Sequence, residues 1–145
     1  MSLQDKLGGF RSDKIKAEKE TGEKFLAENK GKPGVTELPN GIQYLVLKEG
    51  DGRQPKPNSN IKAHYSGSLL SGREFDSSYK RNQPFTARLT QLIKGWQEVI
   101  PMMKEGSTWR LWIPSDLAYG DNGAGGGIPG GATLQFDVEL IQVLD

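Results

Sequence analysis

Cysteine is absent from this 145-residue chain, and histidine occurs once. The first absence excludes disulfides, thiolate zinc sites, iron–sulfur clusters and cysteine nucleophiles. The second leaves a histidine-based metal centre short of ligands. A Ser-His-Asp triad would have to use His64, and no G-x-S-x-G elbow accompanies it. His64 therefore reads as an ordinary strand residue. Net charge is nearly absent as well, with 19 Lys and Arg against 18 Asp and Glu and a formal charge of +1. That balance gives no electrostatic reason to expect nucleic acid or an acidic membrane as partner. No apolar run reaches membrane-spanning length, and no signal-peptide core is visible. A targeting segment removed ahead of Met1-Ser2-Leu3 would leave the same reading.

The length is that of one domain, large enough to bury a core without staples. Its first part differs from the rest. From Arg11 to Lys30 there are six basic and five acidic residues, with Ile15, Phe25 and Leu26 as the large apolar ones. Good helix formers dominate, no proline intervenes and Gly22 is the only glycine, so a charged helix is expected over about 12–30. Gly31 and Pro33 end it. Its apolar stripe is too thin to bury a whole face. Two readings stand: a solvated arm, or the stub of a longer helix leading to a dimerisation or anchoring segment. The division is thus a charged helical arm over 1–34 and a domain over 35–145.

After Gly34 the pattern is β. Strands are expected over 42–48, 61–70, around Glu74-Phe75-Asp76, and over 84–89, 107–113 and 132–140, the last with Leu134, Phe136, Val138 and Leu140 on one face. One helix, over about 94–103, presents Trp96, Val99, Ile100 and Met103 at helical spacing. Pro101 limits the regularity of its end. Many strands with one short helix give an α+β fold, an antiparallel sheet burying one face against that helix. The loop from Gly120 to Gly131 holds seven glycines. Gly125 to Gly130 matches G-x-G-x-x-G as text, but no strand–loop–helix unit surrounds it, so a phosphate cradle is not expected. Those glycines signify backbone freedom and close approach of other groups.

What remains for chemistry is aromatic and aliphatic residues near turns, beside a few polar groups. Taken singly, each reads as core. In order along the chain they are Gly50-Asp51-Gly52, His64-Tyr65-Ser66-Gly67, Gly72-Arg73-Glu74-Phe75-Asp76-Ser77-Ser78, Arg81-Asn82-Gln83-Pro84-Phe85, Ile93-Lys94-Gly95-Trp96, Ala118-Tyr119-Gly120 and Phe136-Asp137-Val138-Glu139-Leu140. Over about 100 residues, from Gly41 to Leu140, this series resembles the FK506-binding-protein (FKBP) type peptidyl-prolyl cis-trans isomerases. The preceding Phe25 to Lys30 and Pro33-Gly34-Val35 resemble the bacterial macrophage-infectivity-potentiator branch, in which a long helix precedes the domain.

The resemblance implies a curved antiparallel sheet wrapped around one short α-helix, with a pocket between the two. It implies that Phe75, Phe85, Leu92, Ile93, Trp96, Ile128 and Phe136 contact substrate, with Trp96 beneath the proline ring. Asp76, Tyr65 and Arg81 would form a polar group at one wall. Tyr119 hydroxyl and the Ile93 N–H would bind carbonyls. Asp76, Tyr119 and Tyr65 take the catalytic roles, without cofactor or metal. Where relatives carry bulky apolar or histidine side chains after Tyr119, this chain has Ala124 and Gly127. Ile128 alone remains there as an apolar contact. The implied activity is acceleration of X-Pro bond rotation in protein folding; the alternative is a peptide-binding or chaperone module using the same pocket without turnover. Implied partners are proline-containing polypeptides, FK506- or rapamycin-type macrolides as inhibitors, and a second copy joined through a longer N-terminal helix. A periplasmic or membrane-anchored location follows by family analogy, with a cytoplasmic one left open.

Overall fold

The computed structural model describes the backbone of residues 3–145 and the side chains of residues 11–145. A long helix, α1 (Leu3–Asn29), leads into seven strands: β1 (Thr36–Glu37), β2 (Gln43–Lys48), β3 (Asn60–Leu69), β4 (Glu74–Ser77), β5 (Phe85–Arg88), β6 (Thr108–Ile113) and β7 (Leu134–Val143). A short helix, α2 (Lys94–Val99), stands between β5 and β6 and continues as a 3-10 turn over Ile100–Met102. That change of helix type falls at Pro101, which has no N–H to continue an α-helical ladder. All strands pair antiparallel in the order β1-β2-β6-β7-β3-β4, and β5 shares the outer edge of β3 with β4.

The alternation read from the sequence sets which face is buried. Along β7, Leu134, Phe136, Val138 and Leu140 turn inward. The strand runs on to Val143, past the expected end at Leu140. A register shift explains this: Lys62 pairs with Gln142 but Ala63 pairs with Leu140, leaving Ile141 as an extra residue. The bulge reverses the phase, so Val143 and not Gln142 is buried, and the alternation rule loses the strand there. On the inner face Ile61, Ala63, Leu111, Ile113 and Val138 meet Trp96, Val99, Ile100 and Met103 in one core. β1 and the 3-10 turns had no sequence signal; two residues cannot display a period.

The first helix departs from the expectation of a solvated arm. Ile15, Glu18, Gly22, Phe25, Leu26 and Asn29 recur at helical spacing and are partly or fully buried. Phe25, Leu26 and Asn29 lie against β2 and β6, on the face of the sheet away from α2, and Ile15 and Gly22 against the loop that precedes β7. Asn29 Nδ2 donates to Gln43 Oε1 at 2.8 Å, and Gln43 Nε2 donates to the Leu26 carbonyl at 2.8 Å. Phe25 packs on Trp112 with ring centroids 6.4 Å apart. Trp112 is therefore buried although its neighbours Trp109, Leu111 and Ile113 supply the inner face. A thin apolar stripe suffices because the surface it meets is itself half polar. Amide pairs and one indole seat the helix in place of a broad greasy face.

Candidate active site

On the inner face, β3 to β5 and the start of α2 enclose a cavity of about 200 Å³. It is lined by Tyr65, Phe75, Asp76, Phe85, Leu92, Ile93, Trp96, Tyr119 and Phe136. Residues far apart in sequence meet because β3 lies beside β4, β5 and β7 at once. Gly67 makes room at the crossing: a Cβ there would fall 2.7 Å from the Phe75 ring and 2.8 Å from the Phe136 ring.

Trp96 lies at the centre of the aromatic cluster. Tyr65 and Phe136 each meet it in edge-to-face geometry at 5.2 Å, and Phe85 is tilted against it at 5.7 Å. Such edge-on pairs suit the ring quadrupoles and hold the indole from three sides. Its Nε1–H is buried without an acceptor among the described residues. The Ile93 N–H, at the residue capping α2, is likewise without an acceptor among the described residues.

One wall is polar. Tyr65 hydroxyl and Arg81 both donate to Asp76, and Arg81 Nη2 donates to the Tyr65 oxygen at 3.2 Å. Burial pushes the Asp76 carboxyl upward, but the hydrogen bonds from Tyr65 and Arg81 and the guanidinium charge outweigh it and hold the carboxyl below its usual value. Burial, reinforced by the bond to Asp76, raises the Tyr65 phenol. Burial also raises the Tyr119 phenol, aided by the negative charge of Asp76. The group is thus an ionised carboxylate with two neutral phenols in its field, all three stable across neutral pH.

The structure brings nine of the eleven sequence-assigned site residues to the cavity wall. Arg81 stands just behind that wall, tied to Asp76. Ile128 is elsewhere: it is 7% exposed and packs in the core, where its N–H and carbonyl bridge back to Ala124. The loop closes on itself through that bridge. Sequence reading gave no role to Ser78, which is fully buried. Its Oγ accepts from the Tyr65 N–H at 2.7 Å and lies 2.7 Å from His64 Nδ1, so it fixes the backbone that carries Tyr65. The repeated serine after Asp76 was the available signal. His64 stacks on Tyr79 at 4.5 Å, and no helix follows the glycine loop, in keeping with the readings of both.

Comparison with known proteins gives this arrangement a family. A model described as FKBP-type peptidyl-prolyl cis-trans isomerase matches residues 51–141, and one for the domain amino terminal to it matches residues 1–46. The chain belongs to the FKBP-type peptidyl-prolyl cis-trans isomerases. The peptidyl-prolyl cis-trans isomerase Mip of Coxiella burnetii is 50% identical over 119 residues, covering 82% of this chain and 52% of that protein. The outer membrane protein MIP of Legionella longbeachae is 41% identical, covering 97% of this chain and 65% of its own. The crystal structure of FkpA from Escherichia coli superposes with a TM-score of 0.88 at 33% identity, over 99% of this chain and 73% of that one. The chain thus spans between about half and two thirds of the two curated relatives. The resemblance by motif and the match by fold coincide on the same sheet and helix.

Proposed function

We propose that residues 35–145 catalyse X-Pro isomerisation in this pocket, and that residues 1–34 form a helical arm docked on the domain. The observation that carries the reading is the cavity itself: an indole held edge-on by Tyr65 and Phe136 and tilted against Phe85, with an ionised, hydrogen-bonded carboxylate at its rim. Rotation about a peptide bond is opposed by a barrier of roughly 18–20 kcal/mol that comes from amide resonance. For X-Pro bonds both isomers are populated and exchange takes tens to hundreds of seconds.

In the twisted transition state resonance is lost, and charge separation between oxygen and nitrogen falls. A water-poor aromatic site therefore penalises the planar amide more than the twisted one. In this reading Trp96, Phe85 and Phe136 hold the proline ring. The Ile93 N–H and the Tyr119 hydroxyl bind carbonyl oxygens. Asp76 stabilises the twisted amide electrostatically, and its paired donors Tyr65 and Arg81 fix its orientation. No bond is made or broken, so neither nucleophile nor metal has a task. An acceleration of ~10⁴-fold needs about 5–6 kcal/mol of differential stabilisation, within reach of desolvation and two hydrogen bonds.

Proline-containing polypeptides are the substrates in this reading, and FK506-type macrolides compete for the same floor. A relative named as an outer membrane protein supports a periplasmic or membrane-associated setting. The test is isomerisation of a short X-Pro peptide followed with and without the chain, then with an FK506-type macrolide added. Acceleration abolished by the macrolide supports the reading. Peptide binding without acceleration would leave a non-catalytic binding module.

A further inference from the structure

Of all pocket residues, Tyr119 has the least local support. It is 39% exposed, and its hydroxyl has no hydrogen-bond partner among the described residues. It sits outside any strand, on the turn that enters the glycine loop. The following 3-10 turn, Gly120–Asn122, holds no buried residue. Something other than core packing must therefore fix the direction of this side chain.

The neighbours of that turn come from α1. Lys19 Nζ lies 2.7 Å from Asp121 Oδ1, two residues beyond Tyr119. Arg11 Nη2 donates to Asn122 Oδ1 at 2.9 Å. The other arm of the loop is held by direct backbone approach. Gly131 N–H donates to the Gly120 carbonyl at 2.9 Å, tying the arms together. A Cβ on Gly131, whose φ is +83, would lie 2.6 Å from the Ile15 carbonyl. Two residues further on, a Cβ on Gly22 would lie 2.2 Å from Thr133 Oγ1. Helix and loop thus meet closely at successive points along α1: residues 11, 15, 19 and 22, one stripe of the helix.

We propose that α1 is a positioning element of the active site, holding Tyr119 over the pocket through Lys19–Asp121 and the seat of Ile15 on Gly131. This rests on the pocket reading above and extends it to the arm. The inner wall of the cavity is fixed by the sheet. Its loop wall is fixed by a helix on the outside of the domain. Lys19 and Asp121 touch no substrate; they act through the turn that carries Tyr119. A change in the seating of α1 therefore alters how a carbonyl is received at Tyr119, while Trp96 and Asp76 stay as they are.

The experiment uses the full chain, an uncharged X-Pro peptide, and four variants: Lys19→Glu, Asp121→Lys, the two combined, and Gly22→Leu. Each single charge reversal should raise KM about threefold with kcat within about twofold, the scale of one exposed ion pair. Amides of residues 119–131 should exchange hydrogen faster by a similar factor. The combined reversal should restore both readouts, which a merely structural role for either residue would not do. Gly22→Leu should speed exchange in the same loop by lifting the helix, without touching either charge. Unchanged KM and loop exchange in the single reversals, or no rescue in the combined variant, overturn the proposal. An inactive parent chain would instead sink the pocket reading, and loop exchange would still decide whether α1 holds the loop.

Discussion

At Asp76 a general base and an electrostatic stabiliser make different demands. A base must gain a proton during turnover, and its carboxyl works best with a raised pKa. Here Tyr65 and Arg81 overcome the burial effect and keep the carboxyl low. The rate should accordingly be flat from about pH 6 to 9, since both phenols are raised as well. A bell centred near neutrality in kcat/KM would contradict the role. Asp76→Ala should lower kcat/KM by about 10- to 100-fold, the worth of one or two charged hydrogen bonds, without abolishing it. Trp96 allows a second prediction at this scale. Trp96→Ala should cost about 3–5 kcal/mol of stability, because it empties the space between three rings. Trp96→Phe should cost much less, roughly 1 kcal/mol, because it keeps most of the ring volume while shedding a buried N–H that has no acceptor. Urea unfolding of both variants measures the difference, and equal losses would mean that filling the space between the three rings is not what Trp96 contributes to stability. These pocket residues were legible in the sequence because each stands in a short pattern of fixed order. Ile128 stands apart from the cavity lining, in a loop whose inner bridge to Ala124 no local sequence pattern announces.

The elements divide by how they announce themselves. β3, β6 and most of β7 alternate over many residues and were legible; α2 showed a helical apolar face and its proline. The seating of α1 was not legible. Lys19 is one of six basic residues between Arg11 and Lys30, and its partner Asp121 lies about a hundred positions away. Nothing in the local pattern distinguishes it from a solvated lysine. Gly22 carries a clearer signal in retrospect: the only glycine of the charged stretch from Arg11 to Lys30, it opposes helix propensity by about 1 kcal/mol and so asks for a reason. The reason is contact with Thr133, whose Oγ1 and Cβ would stand 2.2 and 3.0 Å from a Cβ at position 22. Gly22→Ala is therefore predicted to reverse the usual sign. An isolated helix would gain about 1 kcal/mol, whereas overpacking against Thr133 costs about 1–3, for a net loss of up to ~2 kcal/mol. Thermal unfolding decides it, and a raised Tm would mean that the helix does not press on Thr133, the residue before β7.

Across the whole molecule, three carboxylates act together on stability. Asp76 has burial working against it and the Tyr65 and Arg81 contacts prevailing. Glu105 is lowered by the N–H groups of Val143 and Arg53, at 2.7 and 3.0 Å, which clamp the end of β7 to the loop before β3. Asp145 is lowered by the Ser59 hydroxyl and the Asn60 N–H, closing the same end of the sheet. Each has a folded-state pKa below its unfolded reference, 3.8 for Asp and 4.5 for Glu. Between those two values the unfolded chain binds more protons than the folded one, so stability rises with pH there. The contribution is complete above about pH 5 and is lost as pH falls through the folded-state values. The urea midpoint should therefore be level from about pH 6 to 8 and decline steeply below about pH 4.5. Glu105→Gln separates this from general acid denaturation. Its midpoint should be lower than the parent's at pH 7, and the gap should narrow as pH falls toward 3, because the protonated parent has already lost what the variant lacks. A gap that stays constant across that range would mean that Glu105 stabilises the sheet end by packing and not by its charge.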